Sequence, residues 1–335
     1  VTPTGDLLAF AEGRKSGRGD AGDIDLVVKR SSDGGRTWGP LQVVWDDDGN
    51  TCGNPCPVVD RSTGVIWLLL TWNLGQDREP AIIAGASKDT RRVFVCRSDD
   101  GGRTWTPPRE ITPAVKRPDW TWYATGPGAG IQLHHGPHRG RLIVPCDHIE
   151  AGTRRYYSHV IYSDDHGQTW HRGGTTPKDQ VNECEVVELA GGRLLLNMRN
   201  YDRTQRTRQR AVSDDGGLTW RDQRHVPDLI EPICQASIRR YRRPSGGRPG
   251  VLLFSNPAST RRERLTLKAS FDEGESWPAE LVLDPGPAAY SCLVVLRDGT
   301  VGCLYERGSA HPYETIVFAR VRWPALGGPE PDQPD

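Results

Sequence analysis

A chain of 335 residues with 43 basic and 43 acidic side chains carries no net charge at neutral pH, so it lacks the one-signed footprint of a nucleic-acid or anionic-membrane binder. At 36% hydrophobic it can bury a sizeable core. Its longest apolar run, Val65 to Trp72, falls far short of the roughly 20 residues that span a bilayer. The opening, Val1-Thr2-Pro3-Thr4-Gly5-Asp6, reads as a strand end entering a turn and not as a signal peptide. It predicts a chain that starts inside a longer gene product.

In chain order, short β-forming runs alternate with turn signals: Asp6 to Ala11, Ile24 to Arg30, Val65 to Trp72, Arg92 to Arg97, Arg141 to Cys146, His159 to Ser163 and Glu185 to Leu189. The second half continues with Arg193 to Met198, Arg210 to Ser213, Gly250 to Ser255, Leu265 to Ser270, Ser291 to Leu296, Val301 to Glu306 and Glu314 to Arg322. Helical periodicity is nearly absent. The tail from Ala325 to Asp335, rich in Pro, Gly and acids, reads as a linker after a domain spanning 1–324.

One phrase, S-x-D-x-G-x-[TS]-W, punctuates these runs five times, at Ser31 to Trp38, Ser98 to Trp105, Ser163 to Trp170, Ser213 to Trp220 and Ser270 to Trp277. Each copy has the parts of a tight turn: an Asp to accept turn amides, a Gly two places on to take positive φ, and a Trp to pack beneath. The five carboxylates therefore read as turn pins, since nothing brings repeated turns to one site. Copies about 50 to 67 residues apart, with short strands between, predict an all-β chain: a six-bladed β-propeller of four-stranded antiparallel blades. Its first blade would close with strands from beyond the printed start or from the C-terminal end.

The cysteines suggest buried thiols, because Cys96, Cys146, Cys292 and Cys303 lie in apolar runs. Cys52-Gly53-Asn54-Pro55-Cys56 offers a metal clip or a small disulfide loop, yet no second close pair completes a zinc set. His134, His135 and His138 lack ligand companions and sit in a turn marked by Gly136-Pro137. No metal or cofactor is expected.

In a propeller the functional residues are scattered over the inner strands. Four stretches are polar where an inner strand should be apolar: Asn182 to Glu185, Asn197 to Tyr201, Thr260 to Arg264, and Ala289-Tyr290-Ser291. Around them the chain resembles the bacterial exo-sialidases over essentially its whole length. The repeated phrase resembles their Asp-box. Further matches are Leu7 to Arg14 ahead of Gly19 to Asp25, Gly130-Ile131-Gln132-Leu133, Val187-Glu188-Leu189 leading to Leu196-Asn197-Met198-Arg199, Leu253 to Ala258, and Tyr290 ahead of Gly302 to Glu306.

The resemblance implies hydrolysis of terminal sialic acid, and the residue chemistry agrees. Sialic acid carries a carboxylate on its anomeric carbon, which a guanidinium fork binds in two-point fashion. Two arginines of the family's three map here, Arg199 and Arg262, with Arg261 and Arg264 as neighbours of the second. The third belongs to an Arg-Ile-Pro phrase that would precede Val1. A carboxylate nucleophile would meet a centre already bearing negative charge, so a neutral phenol serves better. By resemblance Tyr290 takes that role, Glu183 accepts its proton, and Asp20 is the acid/base, partly desolvated and protonated when it meets the leaving group. Asp23 competes with Asp20, whereas Asp25 lies within a strand. Asn54, Trp72, Asp119, Trp120, Thr125 and Gln132 fall in stretches that face the sugar's glycerol and N-acetyl groups in relatives.

The expected partners are sialylated glycans, glycoproteins or glycolipids, bound by a monomer, with secretion slightly favoured over an internal location. Transfer of sialic acid, or sialoglycan binding without turnover, remain alternative readings of the same residues.

Overall fold

The computed structural model describes residues 1–326. Twenty-two strands in four sheets account for the architecture. The first sheet holds β1 (Leu7–Arg14), β2 (Ile24–Ser31), β3 (Gln42–Trp45), β4 (Thr51–Val59), β5 (Ile66–Asn73), β6 (Arg92–Ser98) and β7 (Arg109–Glu110). The second holds β8 (Trp120–Thr125), β9 (Ile131–Gln132), β10 (Leu142–Glu150), β11 (Tyr156–Ser163) and β12 (His171–Thr175). The third is β13 (Val181–Glu188), β14 (Leu194–Asn200), β15 (Thr207–Ser213) and β16 (Arg221–Ile230). The fourth is β17 (Ser237–Arg242), β18 (Val251–Pro257), β19 (Glu263–Ser270), β20 (Ala279–Val295), β21 (Val301–Arg307) and β22 (Thr315–Val321). Two short helices, α1 (Glu79–Ile83) and α2 (Thr112–Val115), interrupt the first half. No helix among the described residues is long and apolar enough to cross a membrane.

Pairing is antiparallel throughout except where β2 touches β4 at Ile24 and Thr51. At the other end of the chain, β20 pairs first with β19 and then with β21. Apolar side chains from neighbouring sheets meet between them. Val58, Leu69, Val95, Tyr123, Val144 and Ile161 form one cluster, and Val186, Leu194 and Leu196 join Ile143 and Val160 in the next. This burial across successive sheets is the main stabilising term.

All five repeated phrases fold as the turn the sequence predicts. In the first, Asp33 Oδ1 accepts the Ser31 hydroxyl at 2.8 Å and the Arg36 and Thr37 amides at 2.9 and 3.0 Å, while Thr37 Oγ1 donates to Oδ2 at 2.7 Å. Asp100, Asp165, Asp215 and Asp272 repeat the pattern. The Thr37 and Thr104 hydroxyls hold Asp33 and Asp100 well below the usual carboxylate range, as suits pins and not acids. Gly167 shows why glycine is needed: its φ is +88°, and an added Cβ would lie 2.1 Å from Trp67. Trp170, Trp220 and Trp277 are buried, and Trp38 and Trp105 half-buried.

Every strand expected from sequence is present, and eight more appear: β3, β4, β7, β8, β9, β12, β16 and β17. Most are short, polar or broken by Pro and Gly, so they carry no alternation to read. The cysteines are all free, with Cys292 half-buried and the rest buried, so Cys52 and Cys56 are not joined in a disulfide loop. Of the expected tail, 327–335 lie outside the described residues, while Leu326 packs into the apolar cluster of the fourth sheet.

Candidate active site

Each phrase closes the C-terminal end of a strand (β2, β6, β11, β15 or β19). The polar stretches lie at the opposite ends of those sheets, and β-bulges aim them. Between Val181↔Asn200 and Cys184↔Met198, Asn182 and Glu183 on β13 face Arg199 alone on β14. Between Ala288↔Arg307 and Ser291↔Tyr305, Ala289 and Tyr290 face Glu306 alone. The extra residue breaks the two-residue alternation and turns Glu183 and Tyr290 toward a shared centre.

There the Tyr290 hydroxyl donates to Glu183 Oε1, and Arg199 Nη1 donates to Glu183 Oε2 at 2.5 Å and to the phenol oxygen at 3.1 Å. Burial, and then the Glu183 charge, push the Tyr290 phenol well above its ordinary value, so it rests protonated beside its acceptor. Arg262 is the arginine of its stretch that reaches this centre. Its guanidinium carbon lies 5.7 Å from the Tyr290 ring centroid, its Nη2 donates to the Ile233 carbonyl at 3.3 Å, and its Nη1 meets the Tyr313 hydroxyl. Arg261 and Arg264 turn outward to Glu263 and Glu280. Glu306 accepts the Tyr290 amide at 3.1 Å.

The facing wall comes from the first sheet. Glu12 and Arg14 project from β1, with Arg14 Nη2 2.6 Å from Glu12 Oε2 and 2.9 Å from Asp20 Oδ1. Glu12 Oε1 accepts the Asn54 amide at 2.9 Å. Asn54, with φ +53°, sits in a third bulge, where Asn54 and Pro55 face Leu70 between Gly53↔Thr71 and Cys56↔Leu69. Arg91 is buried over the Trp122 ring at 4.0 Å and donates to Asn54 Oδ1 and, at 2.9 Å, to Thr71 Oγ1. Glu79, at the start of α1, is pushed upward by burial and by Asp20, with Glu183 adding to the shift and Arg91 and Arg199 opposing it. Asp20 and Glu183 thus both lie near enough to Glu79 for their charges to act on it.

Asp20 departs from expectation in its surroundings. The resemblance implies a partly desolvated acid, but the Asp20 side chain is 64% exposed and paired with Arg14, because the loop 15–23 stands off the sheet. Its competitors are tied up: Asp23 and Asp25 each lie 3.0 Å from Lys15 Nζ, and Asp46 lies at 3.3 Å. These three carboxylates are the described group whose spacing could suit a cation, and the Lys15 ammonium already occupies their centre.

Three expected pocket residues stand apart. Trp72 donates from its indole to Asp47 at 2.7 Å and packs on Phe94. Asp119 is 51% exposed in an ion pair with Arg117. Gln132 is committed to Asp60 and the Gly140 carbonyl at 2.8 and 3.1 Å; Asp60 also holds His166 of the third repeated phrase, so Gln132 belongs to the turn side. Of the remaining two, Trp120 stacks on buried His148 at 3.5 Å and is core, whereas Thr125 Oγ1 supports the Asn54 carbonyl at 2.6 Å. Sequence reasoning passed over Glu12, Arg14, Glu79, Arg91 and Glu306 around this centre, and buried Asp147, which bonds Asn182 next to Glu183. For Asp147 the signal was present, a carboxylate inside Leu-Ile-Val-Pro-Cys-Asp-His-Ile.

An all-β scaffold pinned by repeated Asp turns, around a Tyr, Glu and Arg centre, defines a BNR-repeat protein. The model of the BNR repeat-like domain matches residues 5–303. A sialidase of Micromonospora viridifaciens is 40% identical over 348 residues, covering 98% of this chain and 51% of that protein. Mouse Sialidase-3 is 32% identical over 377 residues, covering 95% of this chain and 88% of that one. Among solved structures, a Hadza microbial sialidase is 34% identical with a TM-score of 0.85, covering 97% of this chain and 65% of that one. The chain belongs to the sialidase family with BNR, or Asp-box, repeats. Its fold is the all-β fold of solved sialidases, which are β-propellers. It spans about half the length of the Micromonospora relative.

Proposed function

We propose that this chain is the six-bladed catalytic propeller of a retaining exo-α-sialidase, releasing terminal sialic acid from glycoconjugates. The observation that carries the reading is the Tyr290 hydroxyl resting on Glu183, with Arg199 bridging both. A blade count of six is supported by the two seams: the first sheet divides at the parallel β2–β4 bridge, and the fourth divides within β20.

In the first step the Tyr290 oxygen attacks the anomeric carbon and Glu183 takes the phenol proton. The glycosidic bond breaks, and Asp20 gives its proton to the departing oxygen. In the second step water attacks the same carbon and yields a proton to Asp20. The bond to Tyr290 breaks and the phenol recovers its proton from Glu183. Two inversions leave the configuration retained. Arg199 and Arg262 hold the substrate carboxylate through charge-assisted bonds, and Asn54, fixed by Glu12 and Arg91, lines the opposite side. Asp20 is open to water before binding, so the substrate itself must cover it.

Proton NMR of a sialoside digest tests the reading. The α-anomer of free sialic acid should appear first and then mutarotate. First appearance of the β-anomer would refute retention, and binding without product would favour the lectin-like alternative, which the exposed, Arg14-paired Asp20 makes worth separating. Added lactose distinguishes hydrolysis from transfer, since a sialylated lactose product forms only by transfer.

A further inference from the structure

The bulge that aims Glu183 is gripped from the neighbouring sheet. Asn182, the other residue of the bulge, donates from Nδ2 to Asp147 Oδ1 at 2.8 Å, and its carbonyl accepts the Ser158 hydroxyl at 2.5 Å. Asp147 on β10 and Ser158 on β11 are register partners. Two facing residues of one sheet therefore hold the side chain and the backbone of a single residue of the next. We infer that Asp147 is a positioning residue: through Asn182 it locks the β13 bulge in the register that brings Glu183 onto Tyr290.

Three observations favour positioning over packing or direct chemistry. Asp147 is fully enclosed, at 0% exposure, so it has no route to a substrate. A carboxyl in the middle of an apolar strand is costly, and its Oδ2 has no partner, so an alkyl side chain would pack there more cheaply. Its one side-chain bond goes to the residue beside Glu183. Burial, and then the Glu183 charge, push the Asp147 carboxyl well above the usual range. A neutral acid keeps the grip on Asn182 without adding a second negative charge beneath the base.

The kinetic arm rests on the sialidase reading, and a structural arm does not. Asp147→Ala should lower kcat about 100-fold, the scale of a displacement of roughly an ångström in a reacting group, while KM moves less than about threefold because Arg199 and Arg262 remain. Asp147→Asn, which can turn its carbonyl to Asn182 and mimics the neutral acid, should restore kcat to within about tenfold of the parent. Crystal structures of both variants read the Glu183–Tyr290 contact directly: lost in Asp147→Ala, kept in Asp147→Asn. Should Asp147→Ala fail to fold, Asn182→Ala removes the same bond and is judged by the same criteria. Parental kcat in the Ala variant, or an unchanged Glu183–Tyr290 contact there, overturns the inference while leaving the sialidase reading intact. A parental chain that hydrolyses no sialoside defeats that reading instead, and the crystal structures then decide the role of Asp147 alone.

Discussion

Tyr290→Phe removes one oxygen, and the structure defines what goes with it. The phenol gives a hydrogen bond to Glu183 and receives one from Arg199 at 3.1 Å, while the Arg199–Glu183 pair at 2.5 Å survives. Hydrogen bonds to charged groups are worth about 1.5–3 kcal/mol, but the phenyl ring no longer carries a buried hydroxyl, so the net stability loss should stay near about 1 kcal/mol and the melting temperature should fall by only a few degrees. Under the proposed mechanism the rate consequence is far larger, because the attacking atom itself would be gone. Water activated by Glu183 would have to attack in its place, without a fixed nucleophile. We expect kcat to drop at least about 1,000-fold, or about 4 kcal/mol of lost transition-state stabilisation, with KM changed only a few-fold since Arg199 and Arg262 are untouched. Residual product formed by direct water attack from the Tyr290 side would appear first as the inverted anomer. The assay is a fluorogenic sialoside with temperature melts in parallel. A variant within tenfold of the parent, releasing the same anomer, would sink the assignment.

Arg199→Lys replaces a planar fork by a point charge: one nitrogen would then have to serve Glu183, Tyr290 and the substrate carboxylate at once, so kcat/KM should fall about 30- to 1,000-fold, or about 2–4 kcal/mol, with both kcat and KM affected in steady-state assays. Asp215→Ala strips the acceptor of the Leu218 and Thr219 amides at 3.0 and 2.9 Å and should cost about 1–3 kcal/mol in a denaturant melt, while kcat of the folded protein stays at the parental value. The buried His148–His159 pair, joined at 3.0 Å, gives a pH signature. Burial pushes His148 down to about 3 and His159 well below its ordinary value, so both stay neutral when folded while the unfolded chain takes up protons below its ordinary value of about 6.5. Stability is therefore full above that value and is lost as pH falls toward about 3. Between pH 7 and 5 each imidazole costs about 2 kcal/mol. His148→Phe, which can keep the stack on Trp120, should shrink the pH 7 to 5 drop in melting stability by about that amount; an undiminished drop would remove His148 from the account.

The scaffold was legible because its signal is local. Each Asp turn satisfies itself within about eight residues, so Ser31 to Trp38 and its copies announce where a strand ends with no knowledge of what it pairs with. Outer strands such as Arg221–Ile230 were illegible for the opposite reason. Water wets one side, Pro227 interrupts the run, and no alternation survives to be read. The polar stretches around Glu183, Arg199 and Tyr290 stood out because charge inside an otherwise apolar strand is costly unless partnered. Trp72 shows how resemblance by stretch fails. Side chains alternate faces along β5, so the neighbouring Thr71 meets Arg91 beneath Asn54, while Trp72 turns to Asp47 and Phe94.

What sequence could not carry is the bulge, and the site depends on it. Asn54, Glu183 and Tyr290 each lie where two residues of one strand face a single residue of the next, opposite Leu70, Arg199 and Glu306. A bulge is a statement about register between segments: Glu183 and Arg199 are joined by one hairpin, but Asn182 is fixed from Asp147 and Ser158 in another sheet. Reading Asn182-Glu183 as regular strand would send the two side chains to opposite faces. The extra residue removes that constraint locally, at a rim where a few unpaired backbone groups can be tolerated, and turns Glu183 and Tyr290 to one centre beside Arg199. The two ends of each sheet thus follow different rules. Self-contained turns hold one end, and long-range grips tune the other, which is why a single substitution such as Asp147→Ala can reach Glu183 without touching it.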